Sequence, residues 1–359
     1  MLRFTSRRWS PALRLLVVLS ATVVAAWLLD QWIQAAPAQV AIRPWLEIWL
    51  QLGVLVWVGA LAALYIAPLP RPWKSDLAVA LLALFMFGVA ALPLKATPFA
   101  FGGLGGDALL HAAVVAKTAA LGGFPDMIFR GLPAFYPPLY HYLLGSAARL
   151  AGIEPWLLFK PGLLITSLLL PFALYGLWRR VTGAAVAMGA AFALLVIHDW
   201  FKPYEWIVIM LFVPYWLHWA LNVNHVRVEA SRRYLLWLAA GSLIGALLFM
   251  TYYYFFMIGG LSLVVIWLGE WVAARQTRTG ASDAGAPRLL VINWLHVAFL
   301  LAGVAALSAI YWLPYVWSMA SADSLQMLQN RAITEGKLPL QLVFVSSSLQ
   351  GRALAAVLL

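Results

Sequence analysis

Long apolar runs separated by short polar interruptions make up almost the whole chain. They fall at 13–33, 45–66, 77–93, 156–178, 183–198, 206–222, 234–250, 254–272, 289–313 and 341–359. Most have the roughly 17 to 25 residues that carry a helix across a hydrocarbon core. The ~10-residue alternation of a membrane barrel is missing. This pattern predicts an all-α polytopic integral membrane protein with about ten spans. Between the third and fourth runs, "DALLHAAVVAKTAAL" and "PPLYHYLLGSAARLAG" (137–152) read as helices too short to cross. They are expected to lie at the membrane surface.

Charge orients the runs. With the basic tail of Arg3, Arg7 and Arg8 in the cytoplasm, the short loops carrying Arg71, Lys74, Arg179, Arg180, Arg227, Arg232, Arg233, Arg275, Arg278 and Arg288 fall on the same side. Most of the 24 basic residues then obey the positive-inside rule. Counting 137–152 as a span would invert every later cluster, so it is read as an interfacial helix on the outer face. The organisation that follows is a cytoplasmic tail at 1–12, three spans over 13–93, an outer loop at 94–155 and the remaining spans over 156–359. The first span is followed by "QAAPAQ", which has some look of a cleavage site. Its apolar stretch exceeds a signal core, so an uncleaved anchor is expected.

Composition narrows the function classes. At 64% hydrophobic and 10% charged residues, with mean hydropathy +0.88, the chain could not fold in water without exposing large apolar areas. The formal charge of +11 belongs to membrane orientation rather than nucleic-acid binding. Cysteine is absent, which excludes thiolate metal sites and Cys nucleophiles. Nor is there a phosphate-loop, H-E-x-x-H or G-x-S-x-G motif. Acidic side chains stay out of the span centres and no internal repeat is evident, so an ion-coupled carrier fits poorly.

Polar groups gather in the outer loops. In "FGGLGGDALLH" (101–111), Asp107 opens an apolar helix and His111 follows one turn later on the same face. Asp107 reads either as an N-cap or as a functional carboxylate. The glycine pairs and free amides at a helix start favour close approach of an anion. "HDWFKPYEW" (198–206) brings His198, Asp199, Lys202, Tyr204 and Glu205 between two short runs. It reads as an aromatic interface belt or as the polar wall of a site. Its oxygen ligands would suit magnesium or manganese, although no spacing fixes a metal and no cofactor is certain. Tyr252 sits in "MTYYYFF" (250–256), where an outer turn is expected; Arg331 and Lys337 supply outward cations suited to a leaving phosphate. Polar groups on one face beside lipid fit transfer from a lipid-phosphate sugar, with a carboxylate accepting the acceptor's proton and cations stabilising the phosphate.

The order "LGGDALLHAAVVAKTAALGGFPD", "GLPAFYPPLYHYLLGSAARLAGIEPWLLFKPGLLITS", "HDWFKPYEW" and "YWLPYVWSMASADSLQM" resembles the amino-terminal membrane region of actinobacterial galactan arabinofuranosyltransferases. The resemblance covers roughly residues 75 to 345. It implies a GT-C-like helical bundle with interfacial helices in the first large outer loop. It also implies a decaprenylphosphoryl-arabinofuranose donor, a galactan or related glycan acceptor, and inverting transfer at the outer face of the cytoplasmic membrane. The outer-loop acid of that pattern maps onto Asp107 as general base; Asp199, Lys202 and Glu205 become donor-site candidates, with Tyr136 of the F-Y-P-P stretch alongside them. The chain ends at "GRALAAVLL", so the outer carboxy-terminal domain of the family is expected to be missing. A non-catalytic protein that binds or carries polyprenyl-phosphate lipids is the alternative.

Overall fold

The computed structural model describes residues 10–101, 103, 107–126, 133–134, 136–197, 203–221, 232–279 and 294–318. Among them the chain is helical without strands, the one extended pairing being an isolated bridge between Pro125 and Pro133. Among the described residues six helices are long and apolar enough to cross a membrane. Their outward faces carry large apolar side chains, and α2 (Trp45–Ile66) buries no residue at all. Such a surface is stable only against lipid, so this is a multi-pass membrane protein.

Helix α1 (Pro11–Ala35) starts where Ser10 Oγ accepts the Leu13 amide at 3.2 Å, with Pro11 preset for the first turn. Helix α3 (Arg71–Ala91) also has a proline in its first turn, Pro72, and begins six residues before the expected boundary. The added turns bring Asp76 inside the helix. Asp76 is fully buried, accepts from Arg14 of α1, and takes Arg179 Nη1 at 3.0 Å and the Tyr175 hydroxyl at 3.2 Å from α6 (Phe159–Val181). At the opposite ends, Lys95 Nζ donates to the carbonyls of Ile33 and Gln34, both at 2.6 Å. Lys160 Nζ donates to Leu94 and Thr97 at 2.6 and 2.9 Å. Each cation caps carbonyls at the end of a helix or turn, where the backbone dipole favours it. Thus α1 and α3 run in the same direction and α6 returns along the other side of α3. Arg14, Arg179 and Arg180 gather at one end, and the loop after α3 lies at the other.

Several expected spans are shorter than hydropathy suggests. The run 183–198 is divided into α7 (Ala184–Phe192) and α8 (Leu194–Ile197). The run 206–222 becomes α9 (Pro203–Trp216) followed by one π turn at Leu217–Leu221. Pro214, inside α9, has no amide to bond back to Met210, so the helix loses one backbone bond in its last turns. The run 341–359 lies outside the described residues, and the lengths of α7 to α9 leave the expected total of ten without support from helix length alone.

The runs 234–250 and 254–272 both belong to α10 (Arg232–Thr279), which is interrupted at Tyr252 by a non-helical backbone (φ −161°, ψ 90°). This is a hairpin. Tyr215 meets both Gly245 and the Phe256 ring, which a continuous helix would hold about 16 Å apart. Close approach is possible because Gly241, Gly245 and Gly259 leave room for Trp219, Tyr215 and Trp216. The last described helix, α11 (Trp294–Ser318), packs along both halves.

Candidate functional site

The first long loop forms a roof from two short helices. Helices α4 (Asp107–Leu121) and α5 (Leu139–Ala151) are about 22 and 20 Å long, below the ~30 Å of a hydrocarbon core. They run side by side in the same sense: His111 meets His141, Thr118 meets Gly145, and Gly122 meets Arg149. At Gly145 a Cβ would stand 2.8 Å from the Val115 carbonyl, so glycine is what lets the two backbones touch. Gly122 and Gly123, at φ +72° and +63°, turn the chain out of α4. The return segment is pinned by the Ala134 amide on the Phe124 carbonyl at 2.8 Å and by Lys117 Nζ on the Asp126 carbonyl at 3.1 Å.

At the centre of this roof His111 Nδ1 lies 2.9 Å from His141 Nε2, with the two rings stacked at a centroid distance of 5.1 Å. Both are buried. Tyr136 lies against both, with centroids 5.7 Å from His111 and 5.9 Å from His141. Its ring also meets Tyr252 at the α10 hairpin, at 6.4 Å. The roof, the histidine pair and the hairpin apex therefore form one aromatic column. The pocket bounded by Val114, Thr118, Phe124 and His141 retains only about 10 Å³, so this column is solid packing.

Burial pushes the His141 imidazole from its ordinary 6.5 down to about 3, helped by His111 and opposed in part by the Pro137 carbonyl. The neutral ring can accept or donate within the pair, which fixes complementary tautomers. Linkage gives a sign: between pH 6.5 and 3 the unfolded chain binds the proton and the folded chain does not. His141 therefore costs stability progressively as pH falls through that window, by up to about 1.4 kcal/mol per unit. The thermal midpoint of the full chain is expected to drop from pH 6.5 to pH 4, and less steeply in His141→Gln. An equal slope in both would assign the acid sensitivity elsewhere.

Asp107 is the first residue of α4, one turn before His111. Sequence reasoning singled out Asp107, His111, Tyr136 and Tyr252, and the fold brings the last three into ring contact beside the helix start that carries the first. Tyr204 and Glu205 belong to the first turn of α9. That end lies toward the hairpin apex, because Phe212 stacks on Phe255 while Trp219 packs deeper on Gly241. His198, Asp199, Lys202, Arg331 and Lys337 lie outside the described residues. Among the described residues no three His, Asp or Glu side chains gather to hold a metal ion. His141 was missed, although its place beside Tyr140 and Tyr142 in a short amphipathic helix was a usable signal. Asp76 escapes a sequence reading too, because the third apolar run begins one residue after it.

The family described as "Arabinofuranosyltransferase N terminal" matches residues 13–351. The chain belongs to that family. Three curated relatives all carry the name galactan 5-O-arabinofuranosyltransferase. The Mycolicibacterium smegmatis protein is 30% identical over 171 residues, covering 45% of this chain and 27% of its own length. The Corynebacterium glutamicum protein is 27% identical over 256 residues, covering 69% of this chain and 36% of the relative. For Mycobacterium tuberculosis the figures are 24% over 241 residues, 66% and 35%. The match therefore spans about a third of the relatives' length.

Proposed function

We propose that this chain is the membrane part of a glycosyltransferase that moves arabinofuranose, with inversion, from a polyprenyl-phosphate donor to a galactan. The reading rests chiefly on the family match over 13–351 together with the placement of Asp107 at the start of α4, beside the Tyr136–Tyr252 column. In this reading the bundle has GT-C architecture with about ten crossings, and the loop 94–155 faces outward from the cytoplasmic membrane. The basic end formed by Arg14, Arg179 and Arg180 supports that orientation.

Transfer requires the acceptor hydroxyl oxygen to attack the anomeric carbon while the bond from that carbon to the phosphate oxygen breaks. Asp107 takes the hydroxyl proton, the electron pair leaves on the polyprenyl phosphate, and no nucleotide is consumed. Lys202, Arg331 and Lys337 are the cations assigned to the leaving phosphate, whose developing charge they would stabilise. His198, Asp199, Tyr204 and Glu205 would line the sugar side, where a magnesium or manganese ion would suit the carboxylates. His111, Tyr136 and Tyr252, joined by ring contacts, would line the site beside the first turn of α4.

The experiment is direct. The full chain in lipid nanodiscs is given labelled decaprenylphosphoryl-arabinofuranose and a galactan oligosaccharide, and both label transfer and lipid retention are measured. Transfer of label to the oligosaccharide is the expected result. Retention of the lipid with no transfer would support the alternative reading, a polyprenyl-phosphate binding or carrier protein.

A further inference from the structure

Below the hairpin apex the second half of α10 and the facing side of α11, with Phe249 and Trp216 at its edge, border an open cavity of about 600 Å³. Its size is that of a ligand pocket. The lining is apolar and rich in flat rings: Trp216, Phe249, Phe256 and Trp312, with Met257 and Leu263 between them. The polar side chains within it are already spent inside the fold. Ser308 Oγ donates to the Val304 carbonyl at 2.7 Å, and Trp312 Nε1 to Ala305 at 2.8 Å. Trp216 Nε1 donates to Phe256 at 3.0 Å. What enters must therefore be hydrocarbon, and the helices around it place it at membrane depth.

Its position is the informative part. Phe249 and Phe256 bound the cavity one turn to either side of Tyr252, and Tyr252 touches Tyr136 in the roof. The cavity thus begins where the aromatic column ends. A ligand with a polar head beside α4 and a hydrocarbon tail would pass the hairpin apex and continue along the second half of α10.

We propose that this cavity holds isoprene units beyond the first few of a polyprenyl-phosphate ligand, and so selects for chain length. The inference rests on the donor reading above. A second apolar groove, about 380 Å³ between α1, α2 and α3, is lined by residues such as Leu29, Trp57 and Phe85. It has no contact with the aromatic column in its lining and serves as the control.

The test uses the full chain in nanodiscs with two probes, decaprenyl phosphate and geranyl phosphate, and two variants. Ala305 lines the cavity on an exposed, lipid-facing stretch of α11, so Ala305→Trp fills the space without entering the packed core. Gly53, with open space around its Cα, fills the control groove as Gly53→Leu. Ala305→Trp is expected to weaken decaprenyl phosphate binding by about tenfold or more and to leave geranyl phosphate unchanged, with Gly53→Leu neutral for both. Unchanged decaprenyl phosphate binding in Ala305→Trp would overturn the inference, as would a loss confined to Gly53→Leu. A parent chain that binds neither probe would instead overturn the donor reading.

Discussion

Asp76→Leu is expected to destabilise the full chain by about 3 to 5 kcal/mol, read as a lower thermal midpoint in detergent. Asp76 is the carboxylate on which α1, α3 and α6 converge: it accepts from Arg14, Arg179 and the Tyr175 hydroxyl, and is itself fully buried. Removing it leaves the 8% exposed Arg14 side chain uncompensated in a low-dielectric site. Arg179, at 27% exposure, can partly turn toward the membrane surface and would suffer less. The cost comes from stranding charge rather than from losing an attraction. Replacing all three ionic partners by apolar residues, Arg14→Met, Asp76→Leu and Arg179→Met together, should therefore recover most of the loss. If the triple variant is no more stable than Asp76→Leu, the pairing is not what holds these helices together.

Asp107→Asn is expected to lower the rate of arabinofuranose transfer by about 100- to 10,000-fold, the range of positioned general-base catalysis. Asparagine keeps the size of the side chain and is as well tolerated as aspartate at a helix start, so α4 should survive. What it loses is the ability to accept a proton. Folding and lipid binding should then match the parent, and only turnover should fall. A cap-only role predicts the reverse, with turnover following the small change in stability.

Much of this fold is local enough to be legible in the chain. The runs that became α1, α2 and α11 carry their span-length helices in their own hydropathy, and the polar "MTYYYFF" marks the break that the backbone makes at Tyr252. The shortness of α4 and α5 also follows from length alone. Other features depend on partners distant in sequence. Asp76 looks like a residue outside a span until Arg14 and Arg179, 62 and 103 positions away, close around it. His141 looks like one polar residue of an amphipathic helix until His111 meets it from α4. Hydropathy also cannot see that α-geometry gives way to a π turn after Trp216 or that the run at 183–198 is divided, because an apolar residue scores the same in either backbone. For the candidate site, Asp107, His111 and Tyr252 stood out as polar points in apolar surroundings. Their juxtaposition came only with the pairing of α4 on α5 and the reversal of α10.

The most direct test of the account is single-turnover transfer of labelled arabinofuranose from decaprenyl phosphate to a galactan oligosaccharide, by the parent chain and Asp107→Asn side by side. Decaprenyl phosphate binding and thermal midpoint are measured on the same preparations. The account predicts matched binding and stability with transfer only in the parent. Equal transfer by both proteins would contradict it and leave Asp107 as the cap of α4.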